Sequence, residues 1–145
     1  MLQQIEVRKI NEEKLLFTCT YKPGMWFRLK GLLGRKELLE GEGIYLKPCN
    51  AIHMFFMKFP IDAIFLDAQN TIVHLEKEMQ PWRISSFIPA ARSVLEVSSG
   101  SASKCELKVG DELQLRLFDK TWKVLFWYGT RRDKNDCNSS RKEEF

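Results

Sequence analysis

The sequence predicts a mainly β domain with one short helix (α+β), whose strands form a small, mostly antiparallel barrel or rolled sheet. The first reason is that about nine short apolar runs of strand length follow one another along the chain. The second is that the segments between them are too short for helical crossovers, which favours antiparallel pairing. The third is that apolar residues recur at the helical spacing of three to four only over residues 26–39.

The predicted elements follow from alternation, turn residues and breakers. Apolar alternation, ended by Pro, Gly, Asn or Ser, predicts strands at residues 5–10, 15–21, 43–46, 51–59, 61–67, 71–79, 93–97, 112–118 and 121–128. Glycines at 31 and 34 interrupt the helical segment, and residues 101–107 contain a short helical turn. Residues 80–91 contain two prolines and show little periodicity. This predicts an irregular loop that is long enough to cover part of the domain surface or to be mobile.

The stretch from Ala51 to Asp67 is the centre of the predicted sheet. It is apolar on both faces and is divided by Pro60, so we expect two strands that meet at the proline. After the proline, alternation places Asp62 in an apolar row with Ile64. A buried carboxylate must be paired or accept hydrogen bonds, so Asp62 is the polar residue that most needs a partner.

Composition predicts one domain, at residues 1–128, followed by a charged, disordered tail at 129–145. A net charge of +4 argues against nucleic-acid binding, and no apolar run predicts a membrane partner or a signal peptide. We therefore expect a cytoplasmic protein with reduced thiols. The four cysteines lie far apart and there are two histidines, so no metal site and no cofactor are predicted.

Two candidate sites involve Asp62. In the first, Asp62 pairs with Arg35, Lys58 or Arg92 in a ligand site. The alternative is a purely structural role, in which Asp62 accepts hydrogen bonds from backbone N–H groups at the Pro60 bend.

The second candidate site combines Asp62 with Glu96 as the acid and base of a hydrolase or carbohydrate-active enzyme. Pairing of Glu96 with a cross-strand arginine is the alternative. His53 is a further candidate, either as a base or as a histidine that bonds to a backbone carbonyl.

A set of motifs in fixed order resembles the bacterial and archaeal DUF192 family. The motifs are Gly31-Leu-Leu-Gly-Arg35, Glu42-Gly-Ile-Tyr-Leu46, His53-Met-Phe-Phe-Met57, Phe59-Pro-Ile-Asp62, Phe65-Leu-Asp67, Arg92-Ser-Val-Leu-Glu96 with Gly100, and Val109-Gly-Asp111. The resemblance covers about residues 14–118. It implies a small β-rich single domain of unassigned function, with any shared ligand site near Arg35, His53, Asp62 and Glu96.

These observations favour a cytoplasmic module without catalytic activity that binds a small ligand or a protein partner in a cleft near Pro60. The candidate binding residues are Arg35, His53, Asp62, Arg92 and Glu96. The alternative is the enzyme that uses Asp62 and Glu96, so the sequence leaves catalysis open.

Overall fold

The computed structural model describes residues 3–23, 32 and 35–118. Within them lie seven strands and one short helix. The elements are β1 (Gln4–Lys9), β2 (Leu15–Lys22), β3 (Glu42–Leu46), β4 (Ile61–Leu66), β5 (Ile72–Met79), β6 (Ser93–Ser98), α1 (Ser101–Lys104) and β7 (Leu113–Phe118). The mainly β prediction with a short helix is therefore confirmed.

The seven strands form one sheet in the order β5-β4-β6-β3-β2-β1-β7. All neighbours are antiparallel except β2 and β3, which run parallel. The two edges meet at one end, where Thr71 bridges Glu112 and the Ile72 N–H donates to the Asp111 carbonyl at 2.8 Å. The sheet is therefore rolled rather than closed into a barrel along its length.

Strand β4 has apolar packing on both faces, as its continuous apolar sequence predicts. All six of its residues are buried. Ile64 and Leu66 pack in one core, against residues of β1, β2 and β7, whereas Ile61, Ala63 and Phe65 pack in a second core. Ile52, Met54 and other loop residues complete this second core. The loops before β4 and after β5 therefore form part of the hydrophobic interior.

Part of the predicted secondary structure is wrong. Residues 51–59 form an irregular segment with an isolated bridge at His53 and a turn at Phe55 and Phe56, not a strand. Within the predicted helix, Leu32 is helical and residues 35–39 are not, and the remaining positions lie outside the described residues. The predicted strand at 121–128 and the tail at 129–145 also lie outside them, so the domain boundaries stay a prediction.

Two further expectations concern thiols and membranes. Cys19 and Cys49 are not disulfide-bonded, whereas Cys105 is, so the expectation of reduced thiols is wrong for Cys105. In the described part of the chain, no helix has the length and apolar character that a bilayer crossing requires.

Candidate functional site

Asp62 joins three elements of the fold through its carboxylate. The side chain is fully buried. Its Oδ1 accepts a hydrogen bond from the Glu78 N–H of β5 at 2.8 Å, and its Oδ2 accepts one from the Ala102 N–H of α1 at 2.9 Å. Both bonds come from backbone groups distant in sequence, which fits a structural role. The expectation that Asp62 is buried and bonded is confirmed, but these partners do not belong to the Pro60 bend.

The pairing of β4 with β6 separates Asp62 from Glu96. Asp62 lies opposite Val97, and Ala63 lies opposite Glu96. Directly opposite residues of an antiparallel pair share a face, and successive residues alternate. Asp62 and Glu96 therefore project from opposite faces of the sheet, and Glu96 is also fully buried. The predicted acid and base site formed by these two carboxylates is not present.

The two arginines of the predicted site lie elsewhere. The Arg35 guanidinium is 3.5 Å from the Glu42 carboxylate, where both side chains are about half exposed. Arg92 precedes β6; its backbone N–H donates to the Leu66 carbonyl, at the opposite end of β4 from Asp62. Its guanidinium donates to the carbonyls of Pro89 and Ala91 at 2.9 and 3.0 Å. The five predicted residues therefore do not form a single cluster.

Residues 47–60 and 80–92 form a pair of loops, here called the paired loops. They run antiparallel and are joined by backbone hydrogen bonds of 2.7 to 3.0 Å. The donor and acceptor pairs are Met54 with Arg83, Trp82 with Met54, Ser85 with Ile52, Ile88 with Asn50, and Cys49 with Arg92. The Ser85 hydroxyl also accepts the Ile52 N–H at 2.8 Å. These bonds fix the two loops against each other, although neither is a strand.

The paired loops expose four large apolar side chains, here called the apolar strip. Phe56, Trp82, Ile84 and Phe87 are 62%, 59%, 66% and 65% exposed. The Phe56 and Trp82 rings lie edge to face, with centroids 4.9 Å apart. His53 bridges Ile84 through the backbone, and its ring stacks on Phe55 at 4.8 Å. His53 is thus the one predicted residue with a backbone bridge to the apolar strip.

Two residues of the apolar strip have a left-handed backbone. Phe56 has φ of 62° and Trp82 has φ of 68°. Residues with a Cβ adopt this region at a cost of about 1 to 2 kcal/mol each. Such strain persists where surrounding structure imposes it, and it concentrates at functional sites. Here the bond from the Trp82 N–H to the Met54 carbonyl, at 2.8 Å, fixes one strained residue beside the other.

Sequence reasoning missed the apolar strip. Alternation in residues 51–59 predicts burial on both faces of that segment, and so predicts a buried Phe56. The turn at residues 55–56 directs Phe56 outward while Ile52, Met54 and Met57 are buried. A usable signal was present in residues 80–91, a loop that contains Trp82, Ile84 and Phe87 although loops are usually polar.

The fold and the surface together define a small rolled-sheet domain with an exposed apolar strip and no described cluster suited to a metal. Comparison with known families adds an assignment. The model of the DUF192 family, described as an uncharacterized ACR, matches residues 9–115. The chain therefore belongs to the DUF192 family, as the motifs predicted.

Two curated proteins are similar to part of this chain. The chain is 40% identical over 63 residues to a UPF0127 protein of Pyrococcus abyssi, and this match covers 43% of this chain and 53% of that protein. The chain is 38% identical over 65 residues to a UPF0127 protein of Thermococcus sibiricus, and this match covers 43% of this chain and 40% of that protein. These matches span about half the length of the curated relatives.

Two solved structures share the fold. One is a protein of unknown function from Novosphingobium aromaticivorans, with a TM-score of 0.66 and 21% identity over 78% of this chain and 84% of that chain. The other is a putative transcription regulator from Sinorhizobium meliloti, with a TM-score of 0.64 and 18% identity over 79% and 93% of the two chains. At these identities the likeness establishes the rolled-sheet fold alone.

Proposed function

We propose that this protein is a recognition module without catalytic activity that binds a partner protein through the apolar strip on its paired loops. The observation that carries the proposal is the exposure of Phe56, Trp82, Ile84 and Phe87 on loops that backbone hydrogen bonds hold together. Exposed apolar patches of this kind mark interaction sites. The proposal keeps the predicted location near Pro60 and the predicted participation of His53 and Arg92.

A protein partner fits this surface better than a small ligand. Small-ligand sites are concave and bury most of the ligand, so their lining side chains are largely enclosed. The four side chains of the strip are each more than half exposed, which fits a flat or raised contact surface. Trp and Arg are also enriched among the residues that dominate protein interfaces, and Trp82 and Arg83 are adjacent here.

We also propose that the protein is cytoplasmic and that it binds neither nucleic acid nor a membrane. We do not propose a catalytic role for Asp62 and Glu96, because these carboxylates project from opposite faces of the sheet that contains β4 and β6.

A displayed library of random peptides, selected on the whole protein, tests the proposal. We expect selected peptides to lose at least about tenfold in affinity for Trp82→Ser and for Phe56→Ser, since truncating a central aromatic residue commonly costs 2 kcal/mol or more, about 30-fold. Leu117→Ser is the matched control, because Leu117 is 66% exposed on β7, away from the paired loops. Failure to select any peptide that discriminates these variants would refute the proposal.

A further inference from the structure

We infer that the segment recognised by the apolar strip is an extended, acidic segment of the partner protein. This inference rests on the proposed function and specifies the chemistry of its partner. The observation behind it is the charge of the paired loops. Residues 47–60 and 80–92 contain Lys47, Lys58, Arg83 and Arg92 and no aspartate or glutamate. All four basic residues are exposed.

The basic residues occupy both ends of the paired loops. At one end, Arg83 follows Trp82 in the chain, and Lys58 lies two residues after Phe56. At the other end Arg92 is held close to the first loop, because its carbonyl accepts the Cys49 N–H at 3.0 Å. Lys47 lies two residues before Cys49. A bound segment would therefore meet positive charge before and after the apolar strip.

The apolar strip is elongated between these charges. The Trp82 N–H bonds to the Met54 carbonyl, and the Ile88 N–H bonds to the Asn50 carbonyl, so Trp82 and Phe87 lie at different levels of the paired loops. Fully extended, the five residue steps from 82 to 87 would span at most roughly 16 Å. Apolar side chains at separate levels of the paired loops suit an extended peptide.

Acidic residues of the neighbouring strand do not cancel this positive charge. Glu76 of β5 already accepts the Ser86 N–H at 2.7 Å and lies 3.5 Å from the His74 imidazole. Glu78 is exposed near the start of the second loop and is the one other acid that β5 contributes. The four basic residues therefore exceed the two acids of β5. Complementary charge of this kind sets partner choice and association rate more than affinity.

The same selected peptides test the inference through their composition. We expect Asp and Glu to be enriched over the unselected library, together with Phe, Trp, Leu or Ile. Binding should weaken as salt rises, since exposed charges are screened. Arg83→Glu should reduce the affinity by roughly tenfold, since it replaces an attraction between exposed charges with a repulsion.

Lys108→Glu is the matched charge control, because Lys108 is exposed and lies outside the paired loops. Peptides that respond to Trp82→Ser but show no acidic enrichment and no response to Arg83→Glu would overturn the inference and leave the proposed function standing. Peptides that ignore Trp82→Ser would overturn the proposed function itself. Binding of the protein to vesicles of phosphatidylcholine and phosphatidylserine, lost in Trp82→Ser, would assign the strip to a membrane and overturn the inference.

Discussion

Replacement of Asp62 by asparagine tests how the buried carboxylate stabilises this fold. Each oxygen of Asp62 accepts one backbone N–H, from Glu78 at 2.8 Å and from Ala102 at 2.9 Å. Asparagine offers one acceptor oxygen, and its amide group would face the second donor. Hydrogen bonds to charged groups contribute about 1.5 to 3 kcal/mol, and an unsatisfied buried donor costs a similar amount. We therefore expect the free energy of unfolding to fall by about 2 to 4 kcal/mol.

Asp67 provides a matched control for this substitution. It also accepts two backbone N–H groups, from Gln69 and Thr71, but both bonds, at 2.9 Å, go to the same oxygen, Oδ1. The amide oxygen of asparagine can replace that oxygen, so Asp67→Asn should cost less than about 1 kcal/mol. Urea unfolding of both variants, followed by circular dichroism, gives the two values. Equal losses, or a smaller loss for Asp62→Asn, would refute this account of the carboxylate.

Three further substitutions or reactions test the packing and the backbone. Gly43→Ala would place a Cβ 2.7 Å from the Cys19 Sγ and 2.9 Å from the Glu96 carbonyl oxygen. The free energy of unfolding should therefore fall by about 1 to 3 kcal/mol. Unchanged stability would contradict this close approach. Because Phe56 is left-handed, Phe56→Gly should be about 1 kcal/mol more stable than Phe56→Ala in the same assay, and the opposite order would contradict the strain. Burial raises the pKa of the Cys19 thiol, so Cys49 should react with N-ethylmaleimide before Cys19 in the native protein. Peptide mapping of the treated protein measures both rates, and equal rates would contradict this expectation.

Much of the sheet was predictable from sequence because its signals are local. Alternation and turn residues predicted β1, β2 and β3, the hairpin of β4 and β5, and strand β6 within one or two residues of the observed bounds. The burial of Asp62 followed from its position in an apolar row. Its partners did not, because Ala102 is 40 residues away and donates a backbone N–H that any residue except proline would supply.

The paired loops were harder to predict because tertiary contacts override local pattern there. Alternation in residues 51–59 suggested a strand, but Met54 is hydrogen-bonded to both Trp82 and Arg83 in place of a regular ladder. Phe56 has a left-handed backbone in a turn, and its apolar side chain points into solvent. Prediction from pattern assumes that such a side chain is buried. The sequence suggests Asp62 and Glu96 as a pair only because both are carboxylates. The register of β4 against β6 places them on opposite faces of the sheet.

The central claim is that the apolar strip on the paired loops is the surface that binds a partner. Amide chemical-shift mapping of the isotope-labelled protein, titrated with a peptide from the selection, tests this claim most directly. We predict that the largest changes fall within residues 50–58 and 82–88 and are lost in Trp82→Ser. Changes centred on β1 or β7, with those two segments unaffected, would contradict it.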